Sequence, residues 1–401
     1  MKNEPKIRIK GFEGKWKENL LGDICEINPH SELPDNFEYV DLESVVGTTM
    51  VAHRTENIKT APSRAQRLAQ YNDIFFQTVR PYQRNNYLFR KKEGVYVFST
   101  GYAQIRTSMD SGFLFTILQS DSFVNQVILN STGSSYPAIN PTNLSRLSIN
   151  IIENKSEQRA IATYFRHLDT LIETADKKLS SLKQVKEASL QTMFPQEGQS
   201  VPKVRFKGFE GEWKTSLLKD ISQKVTEKNV NLQYKVTLTN SAEYGVIDQL
   251  DFFDHKISKG DNIRNYYIVK YRDFVYNPRI SVSAPVGPIN QNLLGYAGVM
   301  SPLYYVFRVH DIDECYLRYF FKTKLWHSFM KDNGNSGARF DRLSITDDVF
   351  ERMPIIHPND AEEQRSIASF FVHLDKQIEL AQQRLALLRR IKSACLDEMF
   401  V

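Results

Sequence analysis

Apolar positions fall into two long stretches of helical period, set among shorter runs of strand period. Ile161, Leu168, Ala175 and Leu182 recur seven apart, with Phe165, Ile172, Leu179 and Met193 on a second series four residues after members of the first. This spacing predicts a helix with a heptad seam over residues 157–194. Residues 363–400 repeat it, with Ile367, Leu374, Ala381, Leu388 and Cys395 in one series and Phe371, Ile378, Leu385 and Met399 in the other. The two stretches are identical at 19 of 38 positions without a gap, and neither contains Gly or Pro. Asn154 stands three residues before Glu157 and Asp360 three before Glu363, an N-cap signature at both starts. At about 1.5 Å per residue each helix is roughly 57 Å long, so each apolar stripe needs another helix along its length. The only stripe of equal length is the other copy, and the two are expected to pair. Lys186 and Lys392 fall on the seam at equivalent places, where a lysine either fixes register or snorkels out of an imperfect seam.

The repetition extends beyond the helices. RIKGFEGKWKENLLGDI from Arg8 recurs as RFKGFEGEWKTSLLKDI from Arg205, and weaker matches between these anchors align Asp73 with Asp273, Ser99 with Ser301, Tyr102 with Tyr304, Arg106 with Arg308 and Gly133 with Gly337. The chain reads as one unit used twice: lead-in, variable module, long helix. The boundaries are a first lead-in and module over residues 1–156, a helix over 157–194, a linker over 195–204, a second lead-in and module over 205–362, and a helix over 363–400. Within the modules VYVFST, FLFTIL, YKVTLT, YYIVKY and LYYVFRV predict strands. A helix follows in each: ECYLRYFFKTKLWHSFMKDN, capped by Asp313, and SDSFVNQVILN as its counterpart. Trp16 and Trp213, repeated beside Gly-rich turns, read as core anchors. The fold class is α+β, with two mixed modules and two long helices.

Hydrophobic content of 41% with 25% charged residues fits a soluble globular chain. The absence of a long apolar run or signal-peptide core leads to the expectation of a cytoplasmic protein. Cys25, Cys315 and Cys395 are too few and scattered for a disulfide framework or zinc cluster. The net charge of +5 is not in the modules, since residues 25–156 hold 12 basic and 12 acidic residues and residues 222–362 hold 17 and 17. A DNA footprint must therefore be a local patch.

Phosphate-cradling loops, nucleophile elbows and paired metal-ligand motifs are absent from the sequence. Asn277-Pro278 is followed by Arg279, which rules out the Asn/Asp-Pro-Pro-aromatic motif that holds an exocyclic amine. His167 and His373 repeat on the helices as structural positions. No catalytic or metal-binding residue is assigned. The modules offer basic, amide-rich stretches instead. Residues 80–92 carry Arg80, Gln83, Arg84, Asn85, Asn86, Arg90 and Lys91, and the corresponding second region carries Arg279, Asn290, Gln291 and Asn292, joined by Arg339 and Arg342. Such groups neutralise phosphates and read bases, Arg to guanine and Asn or Gln to adenine; a solvated polar loop has the same composition. Arg166, Glu173, Lys177, Arg384 and Arg389 lie off the seam, where they either meet partner subunits or face water.

Taken together, two variable modules alternating with two helical regions of pattern EQ...I...F..LD..I......L..L...K...L...MF, each preceded by KGFEG.W....L.DI, resemble the specificity subunit of a type I restriction-modification system. The likeness spans the whole chain, more loosely in the modules. It implies a subunit without catalysis of its own, whose modules read the halves of a bipartite, asymmetric double-stranded DNA target. It further implies helices paired as an antiparallel coiled coil with pseudo-twofold symmetry, acting as a ruler. The implied partners are two modification subunits that methylate adenine N6, and restriction subunits. S-adenosylmethionine, ATP and Mg2+ would be used by those partners and no cofactor by this chain. The competing reading is a coiled-coil adaptor whose modules bind protein.

Overall fold

The computed structural model describes residues 4–133, 135–252, 260–335 and 341–400. Its contacts divide the chain into two units, Met1–Lys178 with Ala381–Val401, and Leu179–Leu380. The long helices run Lys155–Thr192 and Ala361–Glu398, so each has residues in both units. Asn154 caps the first by accepting from the N–H groups of Ser156 and Glu157, and Asp360 caps the second by accepting from Glu362 N–H at 2.7 Å.

The glutamate three residues after each cap is committed to its lead-in. In the first unit Glu157 is fully buried and takes both arms of Arg8, Nε to Oε1 and Nη2 to Oε2, each at 2.8 Å. The remaining guanidinium hydrogens go to the carbonyls of Gly14 and Glu13, so the KGFEG turn is wrapped around the arginine. In the second unit Arg205 holds Glu363 at 2.6 and 2.7 Å, and its other donors reach the carbonyls of Gly211 and Glu210. Gly14 and Gly211 have φ of +103° and +81°, a conformation a side chain would strain. Trp16 and Trp213 are buried beside these turns.

Both units build the same antiparallel four-stranded sheet. In the first its order is Cys25–Ile27, Tyr102–Thr107, Ile74–Gln77, Tyr87–Leu88, and in the second Ser222–Lys224, Tyr305–Val309, Phe274–Tyr276, Ile289–Gln291. A two-stranded pairing ties each lead-in to the strand before its long helix: Lys17–Leu20 with Ser148–Ile151, and Lys214–Leu217 with Pro354–His357. The first unit adds a second four-stranded sheet containing the parallel pair Asn36–Val40 and Tyr96–Ser99. The second unit adds the hairpin Leu238–Ser241 with Gly245–Asp248, and the pair Tyr267–Val269 with Gly298–Met300.

Three expected elements differ. FLFTIL lies in a buried helix, Ser111–Ile117, not a strand, because Asp110 accepts from the N–H groups of Gly112 and Phe113 and starts a turn. A short apolar run fits a buried helix as well as a strand. This helix, not Asp121–Leu129, is the counterpart of Glu314–Phe320, which Asp313 caps in the same way. The single helix expected after Asp313 is broken into Glu314–Phe320 and His327–Asn333. Between them the Thr323 hydroxyl donates to Phe320 O and accepts from Leu325 N–H, taking groups that a continuing helix would use. YKVTLT is strand only from Leu238, since Asn229 bonds both Tyr234 N–H and Tyr234 O. Gly337 lies outside the described residues, while Gly133 has the left-handed φ of a turn.

Each core is completed by the start of one long helix and the end of the other. In the first unit Ile161, Phe165 and Leu168 pack in one cluster with Leu396, Met399, Phe400 and Trp16. Lys392 Nζ lies 2.5 Å from Asp169, and Arg389 lies 3.3 Å from Asp176. In the second unit Ile367 and Phe371 join Met193, Phe194 and Trp213, and Lys186 lies 2.5 Å from Asp375. Within each unit residue numbers rise on one helix as they fall on the other, so the pairing is antiparallel. Leu374 and Leu385 are buried, while Ile172, Leu179, Leu182, Ile378 and Leu388 are half-buried along the seam. The two seam lysines therefore do not dangle: each meets the aspartate of the other helix's HLD turn, a reciprocal contact that fixes register.

Candidate nucleic-acid interface

The scaffold of the candidate interface is one strand pair in each unit. Asp73, almost wholly buried, accepts both arms of Arg106 at 2.9 Å, and Asp273, equally buried, accepts Arg308 at 2.7 and 2.9 Å. Hydrogen bonding to the aspartate raises each guanidinium above its ordinary pKa. A planar fork on a carboxylate fixes orientation as well as distance. The clamp sets the strands Ile74–Gln77 and Phe274–Tyr276 against their neighbours, and each of these strands turns back as a hairpin onto Tyr87–Leu88 or Ile289–Gln291.

In the first unit the hairpin connection contains most of the candidates, and the structure divides them. Tyr82 and Gln83 are exposed at its outer end. Arg80 has a left-handed φ of 55° and stacks 4.4 Å from the Tyr136 ring centroid. Arg84 is turned inward to Gln119 O and Asp121. Asn85 accepts from Gly47 N–H at 2.8 Å, and buried Asn86 accepts from Gln77 N–H at 2.7 Å. Arg90 is half-buried, and Lys91 donates to the Tyr96 hydroxyl. Asn86 is therefore corrected from a base-reading candidate to a brace of the hairpin, as its backbone partner and burial require.

In the second unit the correction is larger. Asn290, Gln291 and Asn292 are all buried. Asn290 donates to Asn240 Oδ1 at 2.7 Å and accepts from Lys322 Nζ, Gln291 donates to Arg272 O, and Asn292 Nδ2 donates to the carbonyls of Val269, Lys270 and Tyr296. These amides satisfy backbone that would otherwise be buried unpaired, and all three are committed within the module. Arg279 and Arg342 do share a surface: they bridge as backbone neighbours and line a cleft of about 370 Å³ with Asn277, Ser241 and Tyr304. Their contacts with Asp341 are long, 3.7 and 4.0 Å. Arg339 lies outside the described residues.

On the helices, Arg166, Glu173, Lys177, Arg384 and Arg389 are all exposed. Arg166 reaches Thr163, Glu173 pairs with Lys177, and Arg389 reaches across to Asp176. All but Arg384 line a cleft of about 820 Å³ in the first unit. Among the described residues no group of three or more His, Cys, Asp or Glu is placed to hold a metal, and no helix is long and apolar enough to cross a membrane.

Two clamped modules, each cored on the start of one long helix and the end of another, form an architecture shared with solved chains of type I restriction-modification systems. The S subunit of a type I restriction-modification system from M. genitalium superposes with a TM-score of 0.63 at 12% identity, covering 99% of each chain. A chain from a structure of complex assembly and conformational transition of the type I R-M system superposes with a TM-score of 0.54 at 21% identity, covering 95% of this chain and 96% of that one. Residues 210–390 match the family of the type I restriction modification DNA specificity domain. The type I restriction enzyme HindI specificity subunit of Haemophilus influenzae is 26% identical over 192 residues, which are 45% of this chain. The chain spans 40% of the length of that relative. The second half of the chain thus matches the type I restriction modification DNA specificity domain, and the chain is similar to a type I specificity subunit over less than half its length.

Proposed function

We propose that the chain is the DNA-reading subunit of a type I complex, each module reading one half of a bipartite, asymmetric duplex target. One observation carries this: the same clamped hairpin occurs in both units but ends in different side chains, Tyr82 and Gln83 in one and a serine-flanked Val282 in the other. Identical scaffolds with unlike tips suit two unlike half-sites. The antiparallel helices, held in register by Asp169–Lys392 and Asp375–Lys186, support a ruler that gives the target a constant gap, as two-fold dimers do for half-sites.

The chain itself performs no reaction in this reading. Two modification subunits methylate adenine N6, restriction subunits cleave, and S-adenosylmethionine, ATP and Mg2+ belong to those partners. The exposed helix residues Arg166, Glu173, Lys177, Arg384 and Arg389 are the proposed docking positions, and the setting is cytoplasmic. Methylome sequencing of cells carrying the chain and its modification subunit tests the reading. One split motif of constant gap is expected, and a continuous or variably gapped motif would refute it.

A further inference from the structure

The hairpin connection of the second unit, residues 277–288, is a rigid finger. At its root Asn277 donates to Asn240 O at 2.8 Å and its N–H reaches Pro288 O at 3.0 Å. Gly287 has φ +81°, and a Cβ there would come within 2.1 Å of Asn277 O, so no other residue lets the two sides approach. Ser281 and Ala284 exchange backbone hydrogen bonds of 3.0 and 3.1 Å across the tip, and the Ser281 and Ser283 hydroxyls lie 3.1 Å apart. Ala284 and Val286 are buried and anchor the descending side. Between the two serines Val282 is fully exposed. It is the most exposed of the large hydrophobic side chains among the described residues and gains nothing from burial in its own module.

We infer that Val282 is a specificity-determining residue of the second module and that it contacts the 5-methyl group of a thymine in the major groove. The inference rests on the DNA-reading function above. Among the base edges of the major groove the thymine methyl is the apolar feature, and the other groups are hydrogen-bond donors or acceptors. An apolar tip beside a pair of hydroxyls matches a thymine next to polar edges. Arg279, near the finger's root and exposed, supplies positive charge beside it for the phosphates. The first unit's finger is equally braced: Arg80 N–H reaches Pro137 O at 2.8 Å, and Gln77 Nε2 donates to Gln83 Oε1 at 2.9 Å. Its tip is Tyr82, half exposed, so the two fingers present different chemistry from one position in the fold.

The test is selection of bound duplexes from a randomised library by the full chain with its modification subunit, followed by binding to the selected duplex with deoxyuridine in place of each thymidine. Uracil lacks only the methyl group. The wild-type chain is expected to lose roughly fivefold or more in affinity at one thymine of one half-site. Val282→Ala should show the same loss with thymine and no further loss with uracil. Asn277→Ala, which unties the finger's root, should relax preference at the same position, while both variants keep the wild-type thermal midpoint within a few degrees. If wild type is indifferent to uracil everywhere, or Val282→Ala weakens all sequences equally, the inference is wrong and DNA reading still stands. If the wild-type chain selects no split motif, the proposed function and the inference fall together.

Discussion

In the first unit Asp73 clamps Arg106 and in the second Asp273 clamps Arg308 on the same strand pair, yet the loops that these strands carry have no side chain in common at their tips. The same holds at the lead-ins, where Arg8–Glu157 and Arg205–Glu363 are matched almost atom for atom. Around these shared points the units diverge. Trp213 donates to Glu363 Oε1 at 3.3 Å, whereas the Trp16 indole N–H is buried without a partner. His357 is buried in the strand position that Ile151 occupies in the first unit. The difference teaches which residues build the scaffold and which are free to vary: the ion pairs that tie lead-in, strands and helix together recur, while the loop tips do not.

The strongest way to break that equivalence is to remove its matched ion pairs. Arg8→Ala leaves the buried Glu157 carboxylate without its ion pair, and Arg205→Ala leaves buried Glu363 with the Trp213 indole N–H in place of a charge; loss of a buried ion-pair partner costs about 3–5 kcal/mol. Hydrogen exchange read separately on the two units should show a loss of that size in each unit for its own variant. A loss below about 1 kcal/mol in either would mean that the two contacts are not equivalent.

Acid should then separate the units. Burial, followed by Lys331 and Lys324, lowers His327 from 6.5 to about 4, and burial also lowers His357. The folded state thus favours the neutral rings while the unfolded chain takes up protons from about pH 6.5 downward. Stability from these groups is full above that pH and is lost as pH falls toward about 4. Amide protection of His327–Asn333 should fall over this window, and His327→Gln should flatten its own share. Protection that rises on acidification would contradict the assignment.

The smallest effect is expected at the seam. Lys392–Asp169 and Lys186–Asp375 are partly exposed, so a double-mutant cycle with Lys→Met and Asp→Asn should give about 0.2–1 kcal/mol of coupling in each unit, reduced by salt. Coupling in one unit only would show that the shared register is held asymmetrically.

Much of this architecture could be read from the sequence because it is periodic or repeated. The heptad series found the helices, the offset matches paired Asp73 with Asp273 and Arg106 with Arg308, and the small polar residues before Glu157 and Glu363 marked the helix starts. Amide roles could not be read. Asn290, Gln291 and Asn292 look like base readers in a polar string, but pairing with neighbouring backbone buries them, and pairing partners are set by strand order that composition does not encode. Ser111–Ile117 escaped for a related reason: a fully buried helix shows no polar face, so FLFTIL carries no 3.6-residue signal. Val282 had no sequence signal at all, since one valine between serines in a loop is unremarkable until its exposure is known.

The central claim, that two modules on one scaffold read separate half-sites, is tested most directly by exchanging residues 25–156 for those of another family member and sequencing the methylome of cells that express the hybrid with its modification subunit. The account predicts that one half of the split motif is replaced while the other half and the gap are kept. A motif changed in both halves, or a changed gap, would contradict it.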